Sequence, residues 1–189
     1  MRQLTFGPGV QEVPKWSPDG RWITFDASPL FPDDPAFHTS IWTMRADGSH
    51  ARQLTRNGFD VESVFSPDGT RIVFGRITGA TPQGDQLEAL YVMNTDGTRL
   101  HQIVPPRAGL EHPDWSPDGR SISFNIAPEA VQAAASGSVL VVHPDGGKLR
   151  VLLRRPTSCG SSNRSGPQTA ASCSSAATTS RLTLTSSAP

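Results

Sequence analysis

The chain has 189 residues, with 17 basic and 17 acidic side chains and a formal net charge of zero. No basic cluster stands out, which argues against a nucleic-acid partner, and the apolar runs are short and strand-like, so no membrane span is predicted. Both cysteines, Cys159 and Cys173, fall near the C-terminus, which leaves the rest of the chain compatible with any redox compartment.

The chain opens on Arg2-Gln3-Leu4-Thr5, a string that recurs residue for residue at Arg52-Gln53-Leu54-Thr55. Between the two copies, Trp16 precedes Ser17-Pro18-Asp19-Gly20 and Ile23-x-Phe25 follows it. Proline presets φ for the second position of a tight turn, Asp bonds its own backbone at the third, and Gly tolerates positive φ. The flanking apolar residues alternate with period two, as strands require. A variable stretch over 27–39 leads to the apolar run Ile41-Trp42-Thr43-Met44, and Asp47-Gly48 marks a second hairpin before the closing strand. The unit is therefore four antiparallel strands with two Asp-Gly hairpins.

The same unit returns twice. Ser66-Pro67-Asp68-Gly69 and Ser116-Pro117-Asp118-Gly119 follow the first tetrapeptide at spacings of 49 and 50 residues, preceded by Phe65 and Trp115. Each is followed by its own Ile-x-Phe, apolar run, Asp-Gly and last strand. A four-stranded repeat of about this length is the blade of a β-propeller. The predicted fold is all-β: a partial β-propeller of about three four-stranded antiparallel blades, with a disordered C-terminal tail. The repeats run over about 6–55, 56–104 and 105–153, and residues 1–5 form the last strand of a preceding blade. Propellers need roughly four to eight blades to close, so a longer parent ring, or self-association through open blade edges, is expected.

Pro14-Lys15-Trp16-Ser17-Pro18-Asp19-Gly20 and Pro113-Asp114-Trp115-Ser116-Pro117-Asp118-Gly119, with Ile-x-Phe and Arg-Gln-Leu-Thr around them, resemble the blades of TolB-type propellers. The resemblance covers residues 1 to about 155. It implies a protein- or peptide-binding scaffold and an extracytoplasmic location, periplasmic or secreted. Similar blades also cap prolyl-oligopeptidase-type enzymes, and fold alone does not transmit function.

From Pro156 to Pro189 the chain has no aromatic and no acidic residue, a composition that cannot order itself. One reading is a disordered or O-glycosylated tail. A second comes from the genetic code: read two nucleotides out of frame, codons allowed by residues 165–175 spell Trp-Ser-Pro-Asp-Gly-Ser-Lys-Leu-Leu-Phe. That hidden motif falls about 50 residues after Trp115, where the next blade is due. The tail is thus predicted to be a frameshifted fourth blade.

In an up-and-down blade the Asp-Gly hairpins share one face, and the variable loops over 27–39, 76–88 and 126–137 share the other, where binding residues concentrate. The first loop offers Phe31, Asp33, Asp34, Phe37 and His38, stiffened by three prolines. It is a candidate contact for a peptide or oligosaccharide, against the alternative of a solvated acidic connection. Glu12, Glu62 and Glu111 are placed just ahead of the first strands, near the expected channel mouth, although not at one aligned position of the repeat. They form either a carboxylate ring for a hard cation such as calcium or plain strand-end charges. The repeated aspartates are explained by turn geometry, and the histidines lack metal-ligand spacing. No catalytic residue, cofactor or metal is predicted. The functional reading is a non-catalytic protein- or ligand-binding scaffold, with a hydrolase propeller cap and a non-functional truncated product as alternatives.

Overall fold

The computed structural model describes residues 3–5, 9–28, 38–56, 58–127 and 137–153. Among these the secondary structure is all β, in three four-stranded antiparallel sheets. The first sheet holds β1 (Val10–Trp16), β2 (Trp22–Ser28), β3 (Ser40–Arg45) and β4 (Arg52–Gln53). The second holds β5 (Phe59–Phe65), β6 (Arg71–Ala80), β7 (Gln86–Asn94) and β8 (His101–Ala108). The third holds β9 (Leu110–Trp115), β10 (Ile122–Ile126), β11 (Ser138–Val142) and β12 (Arg150–Leu153). Strands follow one another in spatial order within each sheet, and the first strands touch from blade to blade, β1 with β5 and β5 with β9. The first strands therefore lie toward the axis and the fourth strands at the outer rim.

The Ser-Pro-Asp-Gly turns are built by one hydrogen-bond scheme repeated three times. In each, the glycine N–H donates to the serine carbonyl, and the glycine takes a φ of 67 to 69°. The serine hydroxyl donates to the aspartate carboxylate at 2.6 Å in Ser17, Ser66 and Ser116. The same hydroxyl accepts the N–H of Trp22, Arg71 or Ser121 at 2.9 Å, which closes the mouth of the hairpin. The serine's bond first, then the N–H of Arg21, Thr70 or Arg120 donating to the same carboxylate, holds the carboxyls of Asp19, Asp68 and Asp118 below the ordinary carboxylate range.

Blades pack through apolar faces fed from both sides. Phe65, Ile72, Phe74 and Met93 of the second blade meet Ile41 of the first, and Trp115, Ile122, Phe124 and Leu140 of the third meet Val73, Val92 and Ile103 of the second. Trp115 is 7% exposed, donates its indole N–H to the Val64 carbonyl at 3.2 Å, and lies under the Arg71 guanidinium at 4.7 Å. Its counterpart Trp16 is 61% exposed, because no described blade stands in front of the first.

A second recurring contact lies at the rim. A Cβ on Gly48, Gly97 or Gly146 would come within 3.0, 3.3 or 3.2 Å of the carbonyl oxygen of Leu4, Leu54 or Ile103. Leu4 thus stands against the first blade as Leu54 and Ile103 stand against the second and third, although residues 3–5 are not in a strand. The second variable loop differs from its expectation. β6 continues to Ala80 and β7 starts at Gln86, so most of 76–88 is an extended hairpin, closed by the Thr81 N–H donating to the Asp85 carbonyl. The β-branched Ile77 and Thr78 and the turn residues Pro82 to Gly84 favour this continuation.

Candidate functional site

The axial edge is shaped by a bulge in each first strand. Val13, Glu62 and His112 occupy equivalent positions with φ of 49, 57 and 54°, and the strand register shifts beside each of them. A bulged residue turns its N–H out of the ladder, and in the second and third blades a carboxylate from the preceding blade takes it. Asp26 on β2 accepts the Glu62 N–H at 2.7 Å, and Glu62 accepts the His112 N–H at 2.6 Å. The His112 ring lies 3.7 Å from the Glu62 carboxylate and 3.6 Å from that of Glu111. Asp26 is 3% exposed; burial, opposed by its hydrogen bonds, raises its carboxyl to a pKa of about 6.

Glu88, on β7, completes this acidic region. Gly75 stands in the second blade where Asp26 and Asn125 stand in the first and third, each paired with the residue just before the bulge. The Glu88 carboxylate fills the space a side chain at Gly75 would need. It is 8% exposed, and one of its oxygens, Oε1, has no hydrogen-bond partner. Burial first, then the charges of Glu62, Glu111 and Asp26, pushes its pKa up to about 8. Below that value it is a neutral acid among carboxylates.

Glu12, Glu62 and Glu111 lie within β1, β5 and β9 rather than ahead of them, because the first strands start earlier than the turn spacing suggests; the structure brings Glu62 and Glu111 together around His112, whereas Glu12 is exposed, paired in register with Asp26. Glu62 sits on the bulge itself, one position beyond the register of Glu12 and Glu111, so the three do not form an equivalent ring. Among the described residues no three His, Cys, Asp or Glu side chains are spaced to hold a metal ion. His38 lines a cavity of about 600 Å³ on the open side of the first blade, with Phe25 and Trp42. Phe31, Asp33, Asp34 and Phe37 lie outside the described residues, as do both cysteines and the predicted tail. Asp26 and Glu88 were not singled out by the sequence. Asp26 has no carboxylate counterpart in the other repeats, and Glu88 falls in a stretch read as loop.

Meandering four-stranded sheets, stacked with their first strands toward a common axis, define a β-propeller. Its blades are TolB-like. A TolB homolog of Chlorobium luteolum is 33% identical over 140 residues, covering 74% of this chain and 28% of that protein. The uncharacterized protein Atu1656 of Agrobacterium fabrum is 30% identical over 163 residues, covering 66% of this chain and 54% of its own length. The uncharacterized peptidase YuxL of Bacillus subtilis is 25% identical over 115 residues, 60% of this chain and 17% of the peptidase. The chain thus spans little more than half of these relatives at most. Among solved structures, one assigned to TolB from Agrobacterium tumefaciens superposes with a TM-score of 0.53 at 19% identity, covering 82% of this chain and 65% of that one. The propeller domain of the Trilobed protease from Pyrococcus furiosus gives 0.57 at 16%, covering 80% and 45%. No protein-family model matches the chain.

Proposed function

We propose that this chain is a non-catalytic binding scaffold that engages a protein or peptide through its long-loop face and axial mouth. The observation that carries the reading is the acidic region at the inner strands, where Asp26, Glu62, Glu88 and Glu111 come from three blades. A rigid scaffold that gathers carboxyl groups from three blades next to its loops supports a recognition role. The TolB-like relatives favour an extracytoplasmic setting. Among the described residues no helix is long and apolar enough to cross a membrane.

Photo-crosslinking tests the reading. A crosslinker in place of Glu62 or Glu111 is expected to trap partner, and one in place of Asp19 or Asp118, on the hairpin face, is not. Capture from the hairpin face alone, or from neither, defeats it.

The match to YuxL favours a second reading, a propeller cap whose chemistry resides in another domain. Sequencing the locus on both sides separates the two: further Ser-Pro-Asp-Gly blades without a hydrolase fold support the scaffold, and an adjoining α/β-hydrolase domain supports the cap. The same reads decide whether residues 156–189 are a frameshifted fourth blade, since codons that forbid the hidden motif in every frame exclude it.

A further inference from the structure

Between the second and third blades, beside the β6–β7 hairpin, lies a cavity of about 410 Å³ whose lining includes Asp85, Glu88, Gly109, Leu110, Glu111 and Ala127. Three of its walls carry carboxylates, and no Lys or Arg is among its described lining residues. Two of these lining residues carry a buried oxygen without a hydrogen-bond partner, Glu88 Oε1 where it rests over Gly75 and Asp85 Oδ2. A buried polar atom without a partner is costly, and a bound ligand is one way in which it is satisfied. Arg107 faces Glu88 across the β7–β8 pair, yet its Nε also lacks a partner and no ion pair or hydrogen bond joins the two.

We infer that this cavity receives the side chain of an arginine from a peptide partner, with Glu88, Asp85 and Glu111 as its acceptors. The inference rests on the scaffold reading above and names the chemistry of the partner. A bare metal ion is the poorer occupant, because no trio of ligating side chains converges on a point. A guanidinium instead presents five N–H donors in a planar fork, which suits acceptors spread over separate walls. The volume lies within the ordinary range of ligand pockets. At the buried Glu88 carboxylate the low local dielectric strengthens the bond that forms.

Titration calorimetry with N-acetyl-arginine-N-methylamide tests this on the whole chain. Wild type is expected to bind the arginine probe about tenfold or more tightly than its neutral citrulline analogue, and Glu88→Gln to lose about tenfold in affinity. Glu12→Gln, on the exposed first strand, should leave binding unchanged. The Gln variant keeps the shape of Glu88 and removes its ability to ionise, so a native circular-dichroism melt shows that the lost affinity is not lost folding. Cation binding needs the ionised carboxylate, so affinity should rise with pH toward the Glu88 value of about 8 and then level off. The groups that set that titration are Glu62 on β5, Glu111 on β9 and Asp26 on β2, with Arg107 on β8 and Asp85 in the hairpin turn nearby.

Equal binding of arginine and citrulline probes, an unchanged Glu88→Gln, or no binding at millimolar probe overturns the inference. So does calcium alone binding in competition with the probe and with the same dependence on Glu88. Crosslinks that persist from Glu62 or Glu111 while the probe fails to bind would leave the scaffold standing and remove only the arginine.

Discussion

Trp16 and Trp115 are the same residue in two copies of one repeat, and their environments make opposite demands. Trp115 fills the space between two blades and spends its indole N–H on the Val64 carbonyl. Trp115→Ala should therefore cost about 3–5 kcal/mol in urea denaturation, through lost burial and the cavity left behind. Trp16→Ala should cost well under about 1 kcal/mol, since its ring is mostly in water. Equal losses would mean that the first blade is covered in solution. Glu88 and Asp26 make a second residue-scale prediction. Both carboxyls have pKa values raised by folding, so the folded chain holds their protons more tightly, and their stabilising effect is present in acid and lost as pH rises through about 6 and then about 8. The turn aspartates oppose this only in stronger acid, where their lowered pKa values make protonation destabilising. The melting temperature should thus be higher at about pH 5 than at about pH 8.5, and Glu88→Gln should flatten most of the fall above neutrality. A wild-type maximum near pH 8 would contradict the burial of Glu88.

At the scale of the element, the hairpins are held by a side chain whose place in the turn signature gives no hint of its double role. Each turn serine both donates to its aspartate and accepts the N–H that opens the next strand. Ser116→Ala is expected to cost about 0.5–1.5 kcal/mol, and paired with Asp118→Ala to show less than additive loss, because the two mutations remove one network. Strict additivity in a double-mutant cycle would count against it. The turns were legible in the sequence because their chemistry is local: proline, aspartate and glycine at fixed offsets dictate backbone angles by themselves. The bulges were not. Val13, Glu62 and His112 share a left-handed conformation but no residue type, since tertiary contacts impose it. For the same reason the acidic region was only half visible. Glu62 and Glu111 lie near recognisable turns, whereas the role of Glu88 depends on a glycine thirteen residues earlier and on a hairpin that outlasts the length of a typical strand.

For the whole molecule, the outer face of the first blade is the exposed surface with the largest consequence. Val10, Val13 and Trp16 are exposed on β1, and Phe25 stacks on Trp42 beside an open cavity. A surface of this kind favours association with another apolar face. Sedimentation velocity over a range of concentrations should show reversible self-association, weakened by Trp16→Glu. A strictly monomeric wild type at all concentrations would dismiss it.

The two junctions between blades are chemically unlike. Between the first and second, Thr24 meets Ser63 through a hydroxyl pair at 2.8 Å and Asp26 grips a backbone N–H, with a small apolar cluster beside them. Between the second and third, the larger continuous apolar cluster runs from Val73 to Val142. In a stack where each unit leans only on its neighbours, the weaker seam opens first. Amide protons of β2 and β3 should exchange with solvent well before those of β7 and β10, so that the chain comes apart by shedding its first blade from a pair that holds.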